Sequence, residues 1–181
     1  DKVFDFFINR LTIPIRNHVG QLVSFGGRKL PSDTNEDSPK YLNGRDSFLY
    51  NKSNLLFGLD KAVGAISSQG YAILVEGYFD VIKMHQHNWT NTIATCGTAL
   101  TENHCKLLKR YTNNVVLLRD GDKAGMKAML KDIPLLVENG FQVSLLVLPD
   151  GEDPDSFLDK GELEIKKKIE GSIFSVTKDR D

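Results

Sequence analysis

The chain has 181 residues, of which 40% are apolar and 26% charged, and a formal net charge of −1. This composition is typical of a folded globular protein and argues against a disordered one. Its two cysteines, Cys96 and Cys105, form no CxxC pair and no cluster with histidine at zinc-ligand spacing, so neither a disulfide framework nor a zinc site is expected. Neither a signal peptide nor an apolar run of the roughly 20 residues needed to span a membrane is visible. We therefore expect a cytoplasmic protein with no membrane partner, and the start at Asp1 is typical of a piece of a longer protein.

The first seventy residues predict a small mixed subdomain. HVGQLVSFGGRKL (18 to 30) is typical of two short strands with glycine-rich turns, and the polar segment LPSDTNEDSPK (30 to 40) is typical of a loop. Residues 41 to 70 then predict a turn that leads into a short helix. We expect this part to pack against the domain that follows.

From residue 71 onward, apolar runs of strand length alternate with segments of helical spacing. Thr101 is the expected cap of one helix, and Gly140 the expected end of another. Near-continuous apolar strands that alternate with helices indicate an α/β fold with a parallel sheet covered on both faces, whose strands all end at one edge. The predicted strands cover residues 71 to 77, 91 to 97, 114 to 122 and 142 to 151.

Carboxylates follow three of these strands, at the edge where ligands bind in such sheets. Glu76 follows the first strand, and Asp120 and Asp122, separated by one glycine, follow the third. Two like charges so close together are costly unless a cation lies between them, and residues 71 to 162 carry nine Lys and Arg against thirteen Asp and Glu. The fourth strand adds Asp153 and Asp155, so the edge predicts a site for a divalent cation such as Mg²⁺.

Simpler interpretations of these acids stay open at this point. Asp120 is also in a position to cap a helix, and PDGEDPD is also typical of a turn rich in proline, glycine and aspartate. Asp80 either hydrogen-bonds metal-bound water or caps its own helix. An EF-hand is excluded, because Ala124 and Lys131 stand where that motif needs oxygen ligands.

Several motifs in a fixed order resemble a known family. EGYFDV (76 to 81), DGDKAG (120 to 125) and PDGEDPD (149 to 155) resemble the Toprim domain that primases, topoisomerases and some nucleases share. CGTALTENH (96 to 104) looks specifically like the bacterial replicative, DnaG-type primases. The segments NRLTIPIRNHVGQLVSFGGR, PKYLNG and YNKSNLLFGL are similar to the basic subdomain that precedes Toprim in those primases, and the resemblance covers about residues 4 to 160.

The resemblance implies a Toprim-type parallel sheet flanked by helices and preceded by a smaller mixed α+β basic subdomain. The implied domains are a partial basic subdomain (1 to 70), a Toprim domain (71 to 160) and the start of a helical subdomain (161 to 181). By position it implies catalytic, metal-binding acids at Glu76, Asp120 and Asp122, with Asp80, Asp153 and Asp155 in support. The basic groove for template and incoming nucleotide would contain Arg10, Arg28, Lys40, Asn43 and Lys52, which fits the net charge of +2 in residues 1 to 70.

The implied function is a DNA primase that makes short RNA primers on single-stranded DNA from ribonucleoside triphosphates, with Mg²⁺ or Mn²⁺ and without zinc in this part. The replicative helicase and single-strand-binding protein would act through regions absent here. Two alternatives remain: another Toprim enzyme, such as a nuclease or topoisomerase, and a non-catalytic nucleic-acid-binding module. Arg119 departs from the family, which usually carries an uncharged residue before DGD, and we expect it to pair with a carboxylate or to contact phosphate.

Overall fold

A computed structural model describes residues 4 to 119 and 123 to 148. Within these ranges the chain forms two β-sheets, one of three strands and one of five. Four of the predicted acids, Asp120, Asp122, Asp153 and Asp155, lie outside the described residues, as does the segment 161 to 181. The division into domains at residues 70 and 71 stays a prediction.

The small sheet is antiparallel and consists of β1 (Arg10–Arg16), β2 (Leu22–Lys29) and β3 (Tyr41–Asn43), in that order. The prediction of two strands within residues 18 to 30 is wrong, because only β2 lies there and its partner β1 comes earlier. Strand β1 buries alternate residues, as a half-covered strand does, and its proline is tolerated because β1 is at the sheet edge. Residues 30 to 40 form a loop, as predicted.

The large sheet has five strands, which are β4 (Leu56–Phe57), β5 (Ala72–Val75), β6 (Thr92–Thr95), β7 (Asn114–Arg119) and β8 (Gln142–Val147). Their order in the sheet is β4, β6, β5, β7, β8. Strands β5 to β8 are parallel, as predicted, whereas the two-residue β4 pairs antiparallel with β6 and makes the sheet mixed. Two residues are too few to show the alternation of a strand, so β4 could not be predicted from the sequence pattern.

Helices cover both faces of this sheet, which explains why its strands are apolar throughout. The helices are α1 (Leu59–Gln69), α2 (Tyr78–Gln86), α3 (Glu102–Leu108) and α4 (Lys123–Glu138). Ile73 and Val75 of β5 share a core with the helix α2 and the small sheet, whereas Ala72 and Leu74 share a second core with α1, α3 and α4. Thr101 caps α3 as predicted, since its hydroxyl accepts a hydrogen bond from the backbone nitrogen of His104. None of the helices in the described ranges has the length and apolar character of a membrane span.

The strand order places a crevice at the ends of β5 and β7. The chain leaves β5 through α2 to β6 on one side, and then crosses through α3 to β7 on the other side of β5. In open α/β sheets, ligands bind outside the carboxyl ends of the strands where the direction of winding reverses in this way. Glu76 follows β5 directly, and β7 ends at Arg119.

Candidate functional site

A groove of about 610 Å³ lies between the small sheet and the start of α2. One wall carries basic and polar residues of β2, of β3 and of the loop that connects them. The other wall carries the acids that follow β5. The structure thus brings together part of the predicted basic set and part of the predicted acidic set. The sequence-predicted residues that line this groove are Arg28, Lys40, Asn43, Glu76 and Asp80.

Glu76 lies where the groove meets a second cavity. It is exposed, although the four residues of β5 before it are buried. The second cavity, of about 430 Å³, is also lined by Arg119 and by residues of α4, and we call it the α4 cavity. The Glu76 carboxylate therefore lies at the end of a buried strand and lines both the groove and the α4 cavity.

Asp80 acts as a helix cap. One of its carboxylate oxygens accepts a hydrogen bond of 2.8 Å from the backbone nitrogen of Gly77, at the start of α2. A negative charge in the first turn is also favourable for the helix dipole. Of the two roles expected for Asp80, the capping role is therefore present, and it fixes the turn that follows Glu76.

Arg28 is held in the groove by aromatic rings. Its guanidinium carbon lies 4.2 Å from the ring centroid of Phe79 and 6.0 Å from that of Tyr41, both within cation–π range. The ammonium nitrogen of Lys40 lies 5.8 Å from the ring centroid of Tyr41. Partial burial raises the pKa of Tyr41, an effect that the positive charge of Arg28 opposes. The sequence-based set omitted both rings, although Tyr41 lies within PKYLNG and Phe79 within EGYFDV.

Asn43 joins the two sheets at the floor of the groove. Its amide nitrogen donates to the backbone oxygen of Cys96 at 3.1 Å, and its amide oxygen accepts from the Tyr78 hydroxyl at 2.8 Å. Burial raises the pKa of the Tyr78 hydroxyl, so that it remains a hydrogen-bond donor at neutral pH. Asn43 thus positions β3 against the end of β6.

Arg10 and Lys52 are not among the described residues that line the groove. The guanidinium of Arg10 donates two hydrogen bonds of 2.7 Å, to the Ser38 hydroxyl and the Pro39 carbonyl, and so anchors the segment just before Lys40. The backbone carbonyl of Lys52 lies 2.8 Å from a ring nitrogen of the buried His104. The Arg10 side chain thus has a structural role, whereas the contact of Lys52 involves only its backbone, and direct binding by either side chain stays a prediction.

The predicted metal site is described only in part. Among residues 4 to 119 and 123 to 148, no group of three or more His, Cys, Asp or Glu side chains is placed to hold a metal ion. Glu76 supplies the hard oxygen donor that Mg²⁺ and Mn²⁺ prefer. Its exposure at the strand end fits a divalent ion at this edge.

Arg119 pairs with a carboxylate, the first of the two roles expected for it. Its terminal nitrogen Nη2 donates to Oδ2 of Asp132 in α4 at a distance of 2.5 Å. Both side chains are buried, with 5% of Arg119 and 10% of Asp132 exposed. The pair connects the end of β7 to the second half of α4.

Comparison with protein families gives two matches that together cover most of the chain. Residues 1–63 match the family described as the N-terminal domain of the DNA primase catalytic core, and residues 73–158 match a family described as Toprim-like. The DNA primase of Aquifex aeolicus is 44% identical over 169 residues, which are 93% of this chain and 33% of that protein. The chain thus spans a third of the length of this curated relative.

Two solved structures show the same fold. The crystal structure of the zinc-binding and RNA polymerase domains of the Aquifex aeolicus primase aligns with a TM-score of 0.88 at 44% identity, covering 93% of this chain and 41% of that one. A DnaG primase catalytic domain bound to single-stranded DNA aligns with a TM-score of 0.80 at 36% identity, covering 91% of this chain and 53% of that one. These likenesses support the fold class inferred from the sequence.

Proposed function

This chain belongs to the bacterial DnaG-type DNA primases, and we propose that it is the central part of an RNA polymerase domain that synthesises short RNA primers on single-stranded DNA. The observation that carries the proposal is the groove, in which Arg28 and Lys40 share one space with Glu76. Cationic side chains bind phosphates, and carboxylates bind the divalent ion that accompanies a nucleoside triphosphate. A groove with both kinds of side chain suits a triphosphate and a template strand together.

The proposed metal ligands are Glu76, Asp120 and Asp122, with Asp153 and Asp155 in support. A bound Mg²⁺ or Mn²⁺ would neutralise charge on the triphosphate and activate the 3′-hydroxyl of the primer. For its part, the protein holds Glu76 at the end of a buried strand, and Asp80 fixes the turn after it.

The basic wall would bind the template and the incoming ribonucleotide. Arg28 carries a positive charge beside two aromatic rings, an arrangement typical of sites that bind single-stranded nucleic acid by stacking and charge. Arg10 would act indirectly, by anchoring the segment that precedes Lys40. The replicative helicase and single-strand-binding protein would bind regions of the cytoplasmic full-length protein outside this chain.

The test is an assay of the full-length protein with single-stranded DNA, ribonucleoside triphosphates and Mg²⁺. We expect short RNA products that require the template and disappear when the metal is chelated. Cleavage of the DNA would favour a nuclease, and relaxation of supercoiled DNA would favour a topoisomerase. DNA binding without an RNA product would contradict the proposal and favour a non-catalytic binding module.

Replacing Arg28 by lysine is expected to weaken binding of single-stranded DNA about three- to tenfold, because lysine keeps the charge but loses the planar contact with Phe79. Since the charge is kept, the dependence of the affinity on salt concentration should not change. Fluorescence anisotropy with a labelled oligonucleotide at several salt concentrations measures both quantities.

The matched control is Arg45→Lys, which changes another arginine that lies over a ring, that of Phe6, but is not among the described residues of the groove. We expect this control to bind DNA like the unchanged protein. Equal affinities of the Arg28→Lys and Arg45→Lys variants would contradict the assignment of the groove.

A further inference from the structure

The buried pair of Arg119 and Asp132 faces the same cavity as Glu76. All three residues line the α4 cavity, together with Lys127 and Lys131 of α4. Arg119 is the last residue of β7, and Asp132 lies in the second half of α4. Two carboxylates, those of Glu76 and Asp132, thus line the same cavity as the Arg119 guanidinium. The guanidinium donates its hydrogen bond to Asp132.

Stability alone is a weak explanation for this pair. A buried ion pair often contributes no more to stability than apolar residues of similar volume would. In addition, the buried Nε of Arg119 has no hydrogen-bond partner among the described residues, and a buried donor without a partner costs free energy. These observations favour a role connected with the neighbouring site.

An arginine at this position is a potential competitor of the metal. Its guanidinium stays protonated at any physiological pH and forms strong, directed hydrogen bonds with carboxylates. Without another partner in the α4 cavity, it would attract the Glu76 carboxylate, and its charge would repel a divalent cation from the carboxyl edge of the sheet. The hydrogen bond to Asp132 satisfies Arg119 on the α4 side instead.

We infer that Asp132 is a positioning residue, a counter-ion that holds the Arg119 guanidinium away from Glu76 and so leaves Glu76 to bind the divalent ion. This inference rests on the proposed function, because it takes Glu76 to be a metal ligand. In this role Asp132 acts only through its hydrogen bond with Arg119.

Binding of Mn²⁺ to the full-length protein provides the test, with free Mn²⁺ measured by electron paramagnetic resonance. The Asp132→Asn variant should bind Mn²⁺ about tenfold more weakly, an effect of the size seen when residues that orient metal ligands are changed. The conservative variant Asp132→Glu keeps the counter-ion and should bind more tightly than Asp132→Asn. Thermal unfolding of each variant reports separately on stability.

A double variant separates the counter-ion role from a structural one. Arg119→Met combined with Asp132→Leu removes the competing cation together with its partner, and fills their volume with apolar groups. We expect it to bind Mn²⁺ within about threefold of the unchanged protein, although it lacks the pair. A purely structural pair would give weak binding in both Asp132→Asn and the double variant.

Two results would overturn the inference. One is an Asp132→Asn variant with unchanged affinity for Mn²⁺, and the other is a folded double variant that binds as weakly as Asp132→Asn. Should Asp132→Asn fail to fold, a folded double variant that binds Mn²⁺ about tenfold or more weakly than the unchanged protein overturns the inference by itself. Mn²⁺ binding that is absent from the unchanged protein, or unaffected by Glu76→Gln, would instead overturn the proposed metal site and the inference with it.

Discussion

Replacing Glu76 by glutamine in the full-length protein is expected to lower the kcat of primer synthesis by about a thousandfold, which corresponds to about 4 kcal/mol of transition-state stabilisation. Glutamine has nearly the same shape but lacks the negative charge that would hold the divalent ion. Because Glu76 is exposed at the end of β5, its replacement should leave the melting temperature nearly unchanged. Steady-state primer synthesis at saturating template and nucleotides measures the kcat, and thermal unfolding measures the melting temperature.

The control for this prediction is Glu138→Gln, which changes an exposed glutamate at the end of α4. It should leave both the rate and the melting temperature as they are in the unchanged protein. If the Glu76→Gln variant kept more than about a tenth of the activity, the loss would be smaller than removal of a metal ligand produces, and Glu76 would not be one.

The position of Glu76 could be predicted from local sequence alone. Four consecutive apolar residues, Ala72 to Val75, indicate a strand buried on both faces, and a charged residue can follow only where such a strand leaves the core. The parallel topology then places the ends of β5 and β7 side by side. The cap at Thr101 was also predictable, because it depends on residues three apart in the chain.

Contacts between distant segments could not be predicted in this way. Asn43 and the carbonyl of Cys96 are 53 residues apart and meet only because the small sheet packs against the large one. Arg10 carries the same charge as Arg28 in a similar strand, yet it is bound by the loop before Lys40 whereas Arg28 lies over Phe79. The sequence shows which residues are basic, but the packing of the two sheets decides which of them face the groove.

Replacing Gly97 by alanine is expected to lower the free energy of unfolding by about 2–4 kcal/mol, from two separate causes. Gly97 has a φ angle of 68°, in the left-handed region, where an added Cβ is strained. That Cβ would also lie 2.3 Å from the amide nitrogen of Asn43. Asn43 would have to move and lose its hydrogen bonds to Cys96 and Tyr78.

Gly70 provides a matched control for the first cause. Its φ angle of 80° is similarly left-handed, but no atom lies within 4 Å of the position that a Cβ would occupy. Gly70→Ala should therefore cost only the backbone strain, about 1 kcal/mol. Urea unfolding gives the loss of unfolding free energy in each variant. The extra loss in Gly97→Ala over Gly70→Ala is the part caused by displacing Asn43.

The same pair of variants tests whether Asn43 matters for function as well as stability. If Asn43 positions β3, its displacement in Gly97→Ala shifts the strand that carries Tyr41, and binding of single-stranded DNA should weaken several-fold more than in Gly70→Ala. The anisotropy is measured without denaturant and well below the melting temperatures of both variants, so that the loss of stability does not affect the measured affinity. Equal stability and equal DNA affinity in the two variants would mean that Asn43 rotates away at little cost, and that the junction of the two sheets does not set the shape of the groove.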